Sequence, residues 1–96
     1  MLENKFQSNL IKELKKEFPG CMVLKNDSSY LQGIPDLTVF YKKHWAMLEC
    51  KKNATAHKQP NQEYYVNKMN EMSYAAFVCP ENKTEVIAEL KKKFGE

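Results

Sequence analysis

The sequence predicts an α/β fold, a mixed four-stranded β-sheet flanked by helices. Three segments carry apolar residues at helical spacing, and four shorter apolar runs have the composition of strands. Their order is helix, strand, strand, strand, helix, strand, helix. A strand that joins the sheet after a helix, behind a run of antiparallel strands, implies mixed pairing covered by helices. With 96 residues and 43% hydrophobic content, we expect one domain over residues 1–96.

The first half of the chain is predicted to be a helix followed by three strands. The helix spans 2–18, with apolar residues at four-residue steps, and Pro19-Gly20 ends it. Residues 21–25 form a short strand, and a polar loop follows. Strands at 36–41 and 45–51 are joined by a short lysine-rich turn, which favours an antiparallel hairpin.

The second half is predicted to be helix, strand, helix. The helix spans 60–72, with Pro60 in its first turn, where proline is well tolerated. The strand 74–79 is apolar enough to be central in the sheet. The last helix spans 81–94 and ends in three lysines and Gly95, a typical C-terminal signature.

Charge and cysteine content narrow the class of partner and the compartment. The net charge is +3, and all fifteen basic residues are lysine. Lysine suits phosphate contacts better than base recognition, so a nucleic acid would be bound through its backbone; codon bias in an AT-rich genome is the alternative explanation. Three cysteines without a CxxC pair indicate reduced thiols. No apolar run reaches the ~20 residues of a membrane span, so we expect a cytoplasmic protein without a membrane partner or organic cofactor.

Two carboxylates and an amine converge at one end of the predicted hairpin. Side chains alternate along a strand, which places Glu49 and Lys51 on the same face. Asp36 begins the neighbouring antiparallel strand and so lies beside the end of 45–51. Two such acids repel each other unless a cation lies between them, and hard oxygen ligands suit Mg²⁺. A lysine alongside would orient or help deprotonate an attacking water, which predicts phosphodiester hydrolysis.

Simpler interpretations of the same residues stay open at this point. Asp36 follows Pro35, and aspartate in that position commonly starts a turn. Glu49 and Lys51 would also fit a solvated ion pair on an edge strand, which contributes little to stability.

The stretch GIPD, followed by ECK at 49–51, resembles the PD-(D/E)xK nuclease superfamily. More narrowly, it resembles the small stand-alone virus-type replication-repair nuclease modules and related phage junction resolvases. The resemblance extends from the first helix through the strand at 74–79 and implies a restriction-endonuclease-like core. It implies that Asp36 and Glu49 hold Mg²⁺, for which Mn²⁺ would substitute, and that Lys51 is the catalytic lysine.

The resemblance also implies supporting residues. The backbone carbonyl of Cys50 would be a further metal ligand, and Glu3 an acid on the first helix that contacts the metal through water. Glu3 shares the helical face of the apolar row, so we expect it to point towards the core; Glu17 is its rival. Gln62 would support the site from the helix that follows the motif.

The function expected from this resemblance is a metal-dependent endonuclease of phage-type replication, recombination or repair, in the host cytoplasm if phage-encoded. Four-way junctions or other branched DNA are the expected substrate. A homodimer would supply two sites, with Tyr64 and Tyr65 as interface candidates. The DNA-contact candidates are Lys52, Lys58, Lys43 and Ser29. The alternatives are a site-specific endonuclease of the homing or restriction type, and a catalytically idle nucleic-acid-binding module.

Overall fold

The computed structural model describes residues 2–95 and confirms the predicted order of elements. The helices are α1 (Glu3–Glu17), α2 (Pro60–Met72) and α3 (Lys83–Phe94). The strands are β1 (Met22–Lys25), β2 (Leu37–Tyr41), β3 (His44–Cys50) and β4 (Ala75–Val78). The helix α2 has the predicted bounds, and the other elements begin or end within two residues of prediction.

The four strands form one sheet in the order β1-β2-β3-β4. Strands β1, β2 and β3 pair antiparallel, and β4 pairs parallel to β3. The β2–β3 turn is short because Tyr41 already faces His44, and Lys42 adopts the left-handed conformation with φ 56°. The sheet is therefore mixed, as predicted.

The prediction that the 74–79 strand is central was wrong. Among the described residues, strand β4 lies at the edge of the sheet and has β3 as its one partner. Its apolar content reflects cover from above and below, since both α2 and α3 pack against it. Helical cover of an edge strand and a central position produce the same apolar run in a sequence.

The main core lies between one face of the sheet and the helices α1 and α3. The α1 row Phe6, Leu10, Leu14 and Phe18 is buried there, together with Leu37, Val39 and Leu48 of the sheet. The rings of Phe18 and Phe94 both contact Tyr41, with centroids 5.5 and 5.7 Å away. This packing holds the β2–β3 hairpin firmly from one side.

The opposite face of the sheet is only half covered. Helix α2 packs on β3 and β4, and β1 and β2 carry Met22, Leu24 and Phe40 exposed on that face.

Within residues 2–95, no helix is both long enough and apolar enough to cross a membrane. Cys50 and Cys79 are buried and Cys21 is half-buried, all three as free thiols.

Candidate active site

Asp36 and Glu49 lie side by side at the hairpin end opposite the turn. The pairing of Leu37 with Leu48 places Asp36 opposite Glu49, on the face covered by α2. The backbone N–H of Cys50 donates to Asp36 Oδ2 at 2.9 Å. The carboxylate thus accepts a bond at the point where the β2–β3 ladder ends. Because the N–H and C=O of a strand residue point to the same side, the Cys50 carbonyl also faces Asp36.

Glu49 and Lys51 are buried, with 4% and 8% of their surface exposed. Glu49 lies near the end of β3 and Lys51 follows its last residue, and β3 lies between β2 and β4. The interpretation of a solvated ion pair on an edge strand is therefore wrong. Lys51 Nζ lies 3.9 Å from Glu49 Oε2, which is too long for a hydrogen bond. Charged side chains are almost never this buried without specific partners.

Gln62 supplies a partner to both buried side chains. Its Nε2 donates to Glu49 Oε2 at 3.0 Å, and its Oε1 accepts from Lys51 Nζ at 2.8 Å. The same Oε1 accepts the backbone N–H of Gln59 at 3.0 Å, which completes a capping box at the start of α2. The helix start and the candidate site therefore share one amide group.

The electrostatic environment of the two carboxylates disfavours their charged forms. Burial, together with the negative charge of Asp36, raises the pKa of Glu49 to about 7 from 4.5. Burial also raises the pKa of Asp36, although the Cys50 N–H opposes the shift. The charge of Lys51 lowers both values without cancelling the rise. The pair is therefore short of positive charge.

Glu3 is closer to the site than its rival Glu17. The expectation that Glu3 points into the core was wrong, because its side chain is exposed at the first turn of α1. Its negative charge nevertheless contributes to the raised pKa values of Asp36 and Glu49. Glu17 lies in the last turn of α1, where it is paired with Lys91 at 2.7 Å. Glu3 is therefore the third acid that bears on the site.

The donor set fits a hard divalent cation. Two carboxylates and a backbone carbonyl are oxygen ligands of the kind that Mg²⁺ takes, with water and substrate phosphate completing its shell. Over residues 2–95, no group of three or more His, Cys, Asp or Glu side chains is arranged to hold a metal ion. A cation here would accordingly depend on Asp36, Glu49 and the Cys50 carbonyl, and would supply the positive charge that the two acids lack.

The predicted DNA-contact residues fall into two groups. Lys52 is exposed immediately after the site, and Lys58 Nζ lies 4.8 Å above the ring of Phe77, which is the β4 neighbour of Glu49. Lys43 lies in the β2–β3 turn, at the opposite end of the hairpin. Ser29 is exposed, and its hydroxyl donates to Asp27 at 2.6 Å within a local turn. Only Lys52 and Lys58 adjoin the carboxylates.

Sequence reasoning missed the residues that hold the surrounding loops. The Asn26 side chain donates to the Pro35 carbonyl and to Thr38, which anchors the chain entering Asp36. Asn61 donates to the Gln32 carbonyl at 3.3 Å and packs directly on Gly33. These contacts join residues 9 to 29 positions apart, so no local pattern could reveal them. Gly33 is the sequence signal of this close approach, because a side chain there would meet Asn61.

Comparisons with protein-family models, with curated proteins and with solved structures found no match.

Proposed function

We propose that the protein is a magnesium-dependent endonuclease that hydrolyses phosphodiester bonds in DNA. The observation that carries the proposal is the half-buried Asp36 beside the buried Glu49 and Lys51, the last two held together by Gln62. Burying an acid and an amine next to a second, half-buried acid is costly, and Glu49 in its charged form is disfavoured by its surroundings. Such an arrangement is typical of a functional site and unusual for a purely structural one.

Each side chain has a role that follows from its position. A Mg²⁺ ion held by Asp36, Glu49 and the Cys50 carbonyl would supply a Lewis acid for the scissile phosphate and its attacking water. Asp36 and Glu49 provide the negative charge that retains the cation. The Lys51 ammonium, aligned by Gln62, has further N–H donors for a phosphate oxygen or the water. The water oxygen would form the new bond to phosphorus and give up a proton to solvent, while the P–O bond on the opposite side breaks and its leaving oxygen takes a proton from solvent.

The distribution of charge and the layout of the site support a substrate class. Lys52 and Lys58 flank the carboxylates and suit phosphate contacts. The chain has no arginine, the residue most used for bidentate recognition of guanine. We therefore propose that DNA shape, as in four-way junctions and other branched DNA, determines the choice of substrate. One such site cuts one strand, so a homodimer would supply the second cut.

The first test compares the native chain with Asp36→Asn on labelled four-way-junction, flap, single-stranded and linear duplex DNA. We expect cleavage with Mg²⁺ or Mn²⁺ and none with a chelator. Asp36→Asn keeps a hydrogen-bond acceptor for the Cys50 N–H but loses the charge, so cleavage should fall about a thousandfold or more. Glu85→Gln is the matched control, because it neutralises an exposed carboxylate of α3, away from the site, and should leave the rate unchanged.

Two outcomes would contradict the proposal. Cleavage that survives in Asp36→Asn would place the chemistry elsewhere or reveal a contaminating nuclease. If no DNA is cut and calorimetry detects no Mg²⁺ binding, the constellation is not a metal-dependent site. DNA binding that persists in that case would instead favour the idle nucleic-acid-binding module.

Gln62→Met should slow cleavage about 10- to 100-fold, as loss of a group that orients catalytic residues usually does. The methionine fills the same space but neither donates to Glu49 nor accepts from Lys51. It also loses part of the α2 cap, worth about 1 kcal/mol. Gln59→Ala controls for that loss, since Gln59 is the other half of the capping box. Equal cleavage rates in the two variants would show that Gln62 acts only as a helix cap.

A further inference from the structure

We propose that two copies of this chain pair through the edge of β1, in an antiparallel arrangement centred on Leu24. This surface would bring two nuclease sites together, and that role rests on the proposed function. The pairing itself is a property of the protein alone. It therefore stands or fails separately from catalysis.

Strand β1 has a free hydrogen-bonding edge. The N–H of Asn26 donates to the Asp36 carbonyl, so this antiparallel pair is hydrogen-bonded. Because such pairs alternate along a ladder, Leu24 and Met22 also direct their backbone groups towards β2. Val23 and Lys25 then direct theirs outwards, where residues 2–95 supply no further strand to the sheet. An exposed edge of this kind is a template for pairing with another chain.

The outward N–H and C=O groups of Val23 and Lys25 can pair with the same groups of a second copy. In an inverted copy, Val23 pairs with Lys25 of the second copy and Lys25 pairs with Val23, which makes four backbone hydrogen bonds about a two-fold axis at Leu24. Closed two-fold dimers use the same patch on both copies in this way. Lys25 meets Val23 in this register, so like charges do not face each other directly.

The side chains beside this edge are apolar and exposed. The exposed fractions are Met22 61%, Leu24 46%, Phe40 42%, Tyr30 89% and Leu31 37%. With about 200 Å² for a fully exposed large side chain, they present roughly 500 Å² per copy and roughly 1,000 Å² per pair. Pairing of the two edges buries the part of this area nearest the axis, so the dimer interface is a small one, below the ~1,200 Å² at which specific stable interfaces begin. A single exposed apolar residue needs no explanation, but a contiguous group indicates an interaction surface.

A pocket lies next to the exposed apolar side chains, at the end of β1. Asn26, Asp27, Tyr30, Leu31 and Ile34 line a pocket of about 370 Å³ just beyond the end of β1. In the Leu24-centred pairing, Met22 of the second copy lies opposite Asn26 and on the same face. Met22 of the second copy would thus lie beside one of the residues that line this pocket, and its flexible side chain suits an irregular pocket of this kind.

The proposed pair has a defined arrangement of its two sites. The axis is perpendicular to the sheet, so both sites open on the face that carries α2. Strand spacings of about 4.8 Å and a rise of about 3.4 Å per residue place the sites about 25 Å apart and pointing in opposite strand directions. Two phosphates on different strands are then within reach of one dimer.

A cysteine at the axis tests the register. In a non-hydrogen-bonded antiparallel pair the Cα atoms are about 4.5 Å apart, within the range for a disulfide. Leu24→Cys should therefore form a covalent dimer under mild oxidation of the full chain. Met22→Cys is the control, because Met22 is more exposed but lies about 14 Å along the strand from its own copy. Equal cross-linking of the two variants, or none with Leu24→Cys, would overturn the register.

A charge at the axis tests the interface. Sedimentation of the chain without DNA should show a dimer, and Leu24→Lys should weaken it about 30-fold, since two lysines then meet at the centre of a small interface. Met72→Lys is the matched control: Met72 is also exposed, at the end of α2, and should leave dimerisation unchanged. A monomeric native chain, or a dimer insensitive to Leu24→Lys, would overturn the proposal. A dimer lost instead in Tyr64→Ser would assign the interface to the Tyr64–Tyr65 surface of α2.

Discussion

Glu49→Gln should abolish cleavage and at the same time stabilise the metal-free protein. Cleavage is expected to fall about a thousandfold or more, because the neutral amide no longer helps to hold the cation. The amide oxygen still accepts from Gln62, and the buried negative charge beside Asp36 is gone. At pH 8 the free energy of unfolding should therefore rise by up to roughly 3 kcal/mol, at about 1.4 kcal/mol per unit of pKa shift. Loss of activity with a gain in stability is typical of a functional site.

The same carboxylate predicts how the stability of the native chain depends on pH without metal. Below pH 4.5, Glu49 is protonated in both the folded and the unfolded states. Between pH 4.5 and about 7, the folded protein keeps a proton that the unfolded chain has released, so stability falls as the pH rises. The raised pKa of Asp36 acts in the same direction. Added Mg²⁺ should offset the loss above pH 7, because it binds the folded state.

Urea unfolding at pH 5 and pH 8 checks both expectations. Glu17→Gln is the matched control, since Lys91 lowers the pKa of that carboxyl and its removal should bring no gain in stability. If Glu49→Gln lowers the free energy of unfolding at pH 8, Glu49 is a net structural contributor. The assignment of a charge-deficient metal site would then be wrong.

Gly33→Ala should disturb the site from outside it. Gly33 has φ +93°, and an added Cβ would lie 2.8–2.9 Å from side-chain and backbone atoms of Asn61, in the first turn of α2. Because one of these atoms belongs to the backbone, the helix start would have to move, and Gln62 would move with it. We expect a loss of about 2–4 kcal/mol of stability, combining backbone strain with overpacking, and a fall in cleavage beyond that of unfolding alone.

Gly20→Ala separates strain from packing in this comparison. Gly20 has almost the same φ, +91°, but an added Cβ there meets no atom within 4 Å. It should cost about 1–2 kcal/mol from strain alone and leave the cleavage rate of the folded protein unchanged. If both variants lose the same stability and the same activity, contact with Asn61 does not position α2.

The sequence predicted the fold because its patterns are local. Four-residue apolar steps in α1, the short β2–β3 turn and the proline at the start of α2 each specify their element within a few residues. The closeness of Asp36, Glu49 and Lys51 followed from strand parity and the hairpin register, and both hold in the structure. Their roles in catalysis remain predictions.

What escaped prediction depends on contacts between distant parts of the chain. Lys51 and Glu49 are buried because α2 covers the end of β3, and their alternation along the strand is the same with or without that cover. The edge position of β4 depends on which strand it joins, and its apolar run would suit either place. Helical spacing assigned Glu3 to the face that packs on the core. It is nevertheless exposed, because it lies in the first turn of α1, before the first buried residue, Phe6.

The shared amide of Gln62 restricts how this chain can change over generations. Its Oε1 serves the first turn of α2 and the ammonium of Lys51 at once. A substitution at position 62 is therefore disfavoured for two reasons at once, since it destabilises the start of α2 and misorients the Lys51 ammonium. A lineage that no longer needed the chemistry would still be held to glutamine by the helix, or would have to replace the cap first. Position 62 should consequently change late, after substitutions elsewhere have secured the start of α2.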